Sequence, residues 1–171
     1  GACQRYRGQF FKSKKGKIPN VYYIWGDCSK NINNGDAGLD EQNKKYLNLL
    51  WGIDPKLSEE PLFGLVQNKF DVVSCQFAIH YFLESKEKLE QFVKNVESNL
   101  KEGGYFICTT LDGDKIHKLL EDIDIGEAIT GTDEEGKEAW KIVKNYENSS
   151  WNDNDDSIEK YSVPILVDLK T

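Results

Sequence analysis

Gln76, Phe77, His80 and Tyr81 stand at the end of an apolar run that reads Phe70-Asp71-Val72-Val73-Ser74-Cys75-Gln76-Phe77-Ala78-Ile79-His80-Tyr81-Phe82. A near-continuous apolar run with polar and aromatic groups massed at its carboxyl end is how a buried parallel strand brings chemistry to a cleft. Cys75 and His80 are no nucleophile and base, because residues five apart on a strand point to opposite faces. With only two histidines, His80 and His117, the chain offers no plausible triad. The cluster instead aims an aromatic ring and an imidazole at a cleft.

The neighbouring residues supply the elements that would hold it. Behind Ser85, a good N-cap, Leu89, Phe92, Val93, Val96 and Leu100 recur at helical spacing, and Gly103-Gly104 should stop that helix. Tyr105 to Thr110 is a second β-rich run. Residues 70–110 therefore read as one strand, helix, strand crossover, parallel and right-handed.

Upstream, Ala2 to about Lys15 reads as the end of a helix, and Val21 to Trp25 as a strand closing at Gly26-Asp27. An Asn- and Gly-rich loop follows. Tyr46, Leu47, Leu49 and Leu50 give helical spacing from Asp40 to Leu50, ended by Gly52, and Ile53 to Asn68 is an irregular insertion with Pro55 and Pro61. Downstream, Ile116 to Ile123 is a helix, Ala139 to Tyr146 alternates like a strand, and Tyr161 to Leu169 is another. Asn148 to Ser157 is a polar, acidic stretch that reads as a surface loop or hairpin tip with no chemistry. This order is that of an open α/β sheet, whose ligands sit beyond the carboxyl ends of the strands. Asp27-Cys28-Ser29, Gln76 to Tyr81, and Thr109 to Asp112 are then candidate sites side by side.

A chain of 171 residues suits a single domain with a real core. No run is long and apolar enough to span a bilayer, and the first residues lack the apolar core of a signal peptide. The expectation is a soluble intracellular protein with no membrane partner. Cys3, Cys28, Cys75 and Cys108 form no C-x-x-C pair, which favours neither a zinc site nor a disulfide framework. Cys75 and Cys108 fall inside expected strands, where free cysteine behaves as a small hydrophobe in a reducing compartment. The net charge of −7 argues against nonspecific coating of nucleic acid, yet Arg5, Arg7, Lys12, Lys14, Lys15 and Lys17 all precede the first acid, Asp27. A basic face on an acidic body suits a compact anionic group, or is simply a solvated helix face.

Ala2-Cys3-Gln4-Arg5-Tyr6, Gly26-Asp27-Cys28-Ser29-Lys30-Asn31-Ile32, Phe70-Asp71 through His80-Tyr81, and Gly103-Gly104-Tyr105-Phe106-Ile107 together resemble successive motifs of the mRNA cap guanine-N7 methyltransferases, nearest the form in large DNA viruses and some protists. The likeness covers about the first two-thirds of the chain. It implies a Rossmann-like class I fold and methylation of N7 of the cap guanine by S-adenosylmethionine. Guanine N7 is a lone-pair nucleophile with no proton to lose, so positioning and electrostatics suffice and no general base is needed. The resemblance implies that Asp27 receives the adenine amino group, with Cys28, where a serine is common, against the ring. It further implies that Gln76 and Tyr81 contact the cofactor, that Phe77 and His80 line the cap pocket, and that Arg5 engages the cap triphosphate. Capped RNA is the implied partner, with other capping domains or subunits, in the nucleus or a cytoplasmic viral factory.

Taken singly, each residue has a plainer reading. His80 could be a satisfied strand-end histidine, Asp27 a cap on the following turn, Phe77 and Tyr81 core aromatics, and Arg5 a solvated helix residue. No strand with a glycine-rich turn precedes Ala2, and Val163 to Val167 has Ile165 where the family's guanine-binding Glu would be wanted under one alignment, while under another the chain stops short of that motif. Residues 1–171 are therefore expected to be one methyltransferase-like domain in fragment, an enzyme in the parent protein and inactive when isolated. A methyltransferase-like subunit without catalysis, or a nucleotide-binding module that stabilises a partner, is the other reading.

Overall fold

The computed structural model describes residues 2–12, 19–147 and 164–169. Two compact units divide the chain, residues 1–67 and 68–171.

The first unit opens with α1, Ala2–Lys12, where the expected helix lay. The Tyr6 hydroxyl donates to the Pro19 carbonyl at 2.8 Å, and its ring meets Tyr23 edge-on at 6.4 Å, which draws the following segment back onto the helix. Val21–Trp25 does not form a strand. No strand pairs with it among the described residues; the next residue, Gly26, makes an isolated bridge with Gly38, and the Leu39 amide donates to the Trp25 carbonyl at 3.2 Å. A strand needs a neighbour to take up its backbone groups, and here the Trp25 amide turns to the Asn43 side chain at 2.8 Å instead. The α2 helix, Glu41–Leu50, starts as expected at Asp40, whose carboxylate accepts from the Asn43 amide at 2.7 Å. That bond also holds the Asp40 carboxyl below its ordinary range. Leu47 and Leu50 bury one face of α2, and a cavity of about 270 Å³ lies between its last turn, Leu62 and the Val21–Ile24 segment. Residues 53–68 are irregular, as expected, with two short 3₁₀ turns.

The second unit begins with β1, Phe70–Gln76, joined through α3, Lys86–Asn99, to β2, Leu100–Thr109, and the two strands pair in parallel. This is the parallel strand, helix, strand order that the spacing predicts, and with its mixed α/β setting it agrees with the Rossmann-like methyltransferase fold. The helix ends at Asn99, before the glycine pair, because Leu100 already pairs with Phe70. The register then jumps to Val72 opposite Tyr105, and Gly103, at φ 74°, and Gly104 form the bulge between. Period-two alternation puts Val73, Cys75, Phe106 and Cys108 on one face and Val72, Gln76, Ile107 and Thr109 on the other. Phe92 of α3 covers the first of these, stacking on Phe82 at 4.1 Å and meeting Phe106 edge-on at 6.0 Å. Cys75 is buried there, whereas Cys108 is exposed, contrary to its reading as a hydrophobe.

The helix expected over 116–123 is α4, Gly113–Leu120, begun three residues earlier by Asp112, whose carboxylate accepts from the Lys115 amide at 3.2 Å. Ile116 and Leu120 face a three-stranded antiparallel sheet of β3 (Ala128–Thr132), β4 (Glu138–Lys144) and β5 (Ile165–Leu169). The strand expected over 139–146 is thus present but ends at Lys144, and within the described part of 161–169 the strand is Ile165–Leu169. The β3 strand went unanticipated, since Ala128-Ile129-Thr130-Gly131-Thr132 carries little apolar signal. The loop expected over 148–157 lies outside the described residues.

Gly131 is needed for packing. A Cβ there would lie 2.2 Å from the Trp140 ring on the paired strand. Gly131→Ala is expected to cost about 1–3 kcal/mol, the usual range for overpacking, read as a lower urea midpoint with a quenched or shifted Trp140 emission. An unchanged midpoint would show that the ring has room to move.

Candidate functional site

The β1–β2 ladder brings Gln76 and Thr109 together at its carboxyl end. Thr109 Oγ1 donates to Gln76 Oε1 at 2.8 Å, and Gln76 Nε2 donates to Ser74 Oγ at 2.8 Å. The Phe77 amide donates to the Thr109 carbonyl at 2.9 Å and lies 3.2 Å from Thr109 Oγ1. These bonds hold Phe77 at φ 51°, in the left-handed region. Such a backbone costs a bulky residue about 1–3 kcal/mol and persists only when its surroundings impose it.

The consequence is a change of direction. The strand stops at Gln76, and Ile79–Glu84 forms a 3₁₀ helix that sets the rest of the cluster beside the strand end. Phe77 is 65% exposed and Tyr81 68%, so neither is a core aromatic. The His80 and Tyr81 rings stand 4.2 Å apart, inclined at 47°. His80 itself is half-buried, and its Nδ1 is shielded from solvent with no hydrogen-bond partner among the described residues. The reading of His80 as a satisfied histidine therefore does not hold. Gln76, Phe77, His80 and Tyr81 thus meet at one end of β1, offering exposed ring faces with a polar edge. Such a surface suits a flat heteroaromatic ligand.

Cys75, one residue inside the ladder, is not activated for attack on a substrate carried to the site. Burial pushes its thiol up, with only partial relief from the Ala78 amide. Thr109 was legible only as part of a strand end, and its role in fixing Gln76 and Phe77 depends on register, which sequence does not give.

Asp27, Cys28 and Arg5 belong to the first unit. Asp27 Oδ1 accepts from the Ser29 amide at 2.9 Å and from the Ser29 hydroxyl at 2.6 Å, while its own amide donates to the Ala37 carbonyl at 2.7 Å. The turn-capping role is therefore present, and it fixes the carboxylate's direction. Cys28 is exposed and in no disulfide, and Arg5 is exposed on α1. Among the described residues no helix is long and apolar enough to cross a membrane.

Residues 1–147 match the mRNA (guanine-N(7))-methyltransferase domain family. The chain is 44% identical over 120 residues to a probable mRNA-capping enzyme of Acanthamoeba polyphaga mimivirus, a match that covers 70% of this chain and 9% of that protein. It is 34% identical over 117 residues to an mRNA cap guanine-N(7) methyltransferase of Caenorhabditis elegans, covering 67% of this chain and 23% of that protein. A third relative, mRNA cap guanine-N(7) methyltransferase 1 of Arabidopsis thaliana, is 33% identical over 115 residues, 60% of this chain and 29% of its own length. The chain thus spans less than a third of each of these relatives. The matched region includes the whole Gln76 to Tyr81 cluster, and a family of this chemistry requires a methyl donor. The chain belongs to the mRNA (guanine-N(7))-methyltransferase domain family.

Proposed function

We propose that this chain is part of an enzyme that transfers a methyl group from S-adenosylmethionine to N7 of the terminal guanine of capped RNA. The observation that carries the reading is the coincidence of the family match with the cluster at the end of β1, where exposed rings and an orphaned imidazole nitrogen stand together. Gln76 and Tyr81 fit a nucleoside donor, because they present a carboxamide fixed by Thr109 and an exposed phenol ring at a parallel strand's carboxyl end. Asp27, with its carboxylate fixed by Ser29, suits the adenine amino group on this reading, and Cys28 suits the ring. When bound, the donor supplies a methyl already activated on a sulfonium.

The remaining work is positioning. Guanine N7 attacks through its own lone pair, so no residue need remove a proton, and holding the ring in line is the protein's main contribution. Phe77 offers a face for the guanine to stack on. His80 offers a hydrogen bond to its edge. Arg5 supplies a guanidinium for the triphosphate, a contact that can be bidentate. The two compact units are parts of one methyltransferase domain on this reading, in a protein acting where RNA is capped, in the nucleus or a cytoplasmic viral factory.

The full-length parent protein is expected to transfer labelled methyl from S-adenosylmethionine to GpppN-capped RNA and to leave pppN-ended RNA unlabelled. Nuclease digestion should release the label in a 7-methylguanosine cap. A parent that binds the donor but labels neither RNA would overturn the proposal and favour a subunit without catalysis.

A further inference from the structure

We propose that Cys75 and Cys108 are a reversible dithiol site, which a disulfide oxidant closes into a cross-strand disulfide at the carboxyl end of the β1–β2 ladder. The register pairs the two residues directly, and both are free thiols. Paired residues of a parallel ladder point to the same face, and neighbouring strands lie roughly 4.8 Å apart, inside the Cα span of about 4.4–6.8 Å that a disulfide bridges. Proximity and orientation are therefore already supplied by the fold.

The two thiols differ in the way a redox pair needs. Cys108 is exposed and meets an oxidant first, whereas Cys75 is buried beside it and is sheltered from direct attack. With glutathione disulfide as oxidant, the Cys108 thiolate attacks one glutathione sulfur and expels the other glutathione as thiolate. The Cys75 thiolate then attacks Cys108 Sγ and expels the second glutathione. Two protein thiols are oxidised by two electrons, one glutathione disulfide is reduced to two glutathiones, and the two thiol protons pass through solvent to the expelled glutathione thiolates.

Closure would act on the candidate site. The residue after each cysteine, Gln76 and Thr109, is half of the hydrogen bond that fixes the strand ends, and Thr109 also holds the strained Phe77 amide. A disulfide brings Cβ atoms to about 3.8 Å, closer than a flat parallel pair sets them. Strands drawn together at this point shift that bond. The strain also makes the disulfide easy to reduce, the mark of a switch rather than a structural staple. The effect on catalysis rests on the proposed function, but the thiol chemistry does not.

The test equilibrates the full-length parent in glutathione buffers of falling reduced-to-oxidised ratio, quenches with acid, alkylates and maps peptides by mass. The expected result is a Cys75–Cys108 linked peptide, with both thiols lost to alkylation together and both restored by dithiothreitol. Cys75→Ser should leave Cys108 as a mixed disulfide with glutathione, and Cys108→Ser should leave Cys75 alkylated. Two thiols that stay alkylated across the series, or glutathione on wild-type Cys108 without the link, would overturn the pair. Methyl transfer to capped RNA, followed in the same samples, should fall severalfold as the link forms, and unchanged transfer would overturn its coupling to the site. A parent that transfers no methyl even when reduced would count against the functional reading alone, since the link is read by mass.

Discussion

Replacing His80 by alanine in the full-length parent lowers methyl transfer to capped RNA by about a hundredfold or more, the scale on which a misplaced substrate loses rate. The expectation follows from the imidazole's surroundings. Nδ1 is shielded from water and has no partner among the described residues. A buried N–H without an acceptor is rarer in folded proteins than a lone pair without a donor, so the proton belongs on Nε2. On the proposed function His80 then has an N–H to offer the ligand, and its ring lies beside that of Tyr81. His80→Gln, whose amide carries a donor at comparable reach, should recover part of the loss, while His80→Phe, which keeps the ring against Tyr81, should not. The assay is initial rate of labelled methyl transfer at saturating donor, with thermal unfolding of each variant as the check on folding. Full activity in His80→Ala would remove the residue from the site. Equal rates for the Gln and Phe variants would leave it there as packing only.

The crossover was legible because three independent signals coincide over residues 70–110: an apolar run, a capped helical period and a second β-rich run. Its details were not. The helix ends at Asn99 rather than at the glycines, because the Phe70–Leu100 pair begins the ladder before the bulge. Val21–Trp25 has the composition of a strand, but composition cannot supply the neighbour that makes one. The same limit governs the site. Gln76, Phe77, His80 and Tyr81 were visible as a cluster, yet the left-handed Phe77 that turns the strand into the 3₁₀ helix depends on Thr109, thirty-two residues away. Asp27 shows the reverse. Its bonds to Ser29 are local and could be read from an Asp-x-Ser spacing.

Lys144→Met is expected to destabilise the chain by about 3 kcal/mol or more, although it touches no residue of the candidate site. Alternation along β4 puts Trp140, Ile142 and Lys144 on one face, so the strand reading itself carries a lysine into the core. Lys144 is only 2% exposed. What makes that tolerable is the end of α4. Lys144 Nζ donates to the carbonyls of Leu120 at 2.8 Å and Ile123 at 2.7 Å, with Glu121 O at 3.5 Å, and lies 5.5 Å from the centroid of the Tyr146 ring. Helix carbonyls near the C-terminus have no intrahelical partner and carry the negative end of the helix dipole, so an ammonium with three donors satisfies both needs. A hydrogen bond to a charged group is worth about 1.5–3 kcal/mol, and two well-formed ones set the scale of the loss. Methionine keeps most of the apolar stem, so the loss measures the bonds rather than a cavity. Urea unfolding followed by circular dichroism should show the drop in midpoint, and hydrogen exchange should show amides at the end of α4 opening first. A midpoint within about 1 kcal/mol of wild type would mean that water replaces the ammonium at those carbonyls, at the usual modest net value of a neutral hydrogen bond.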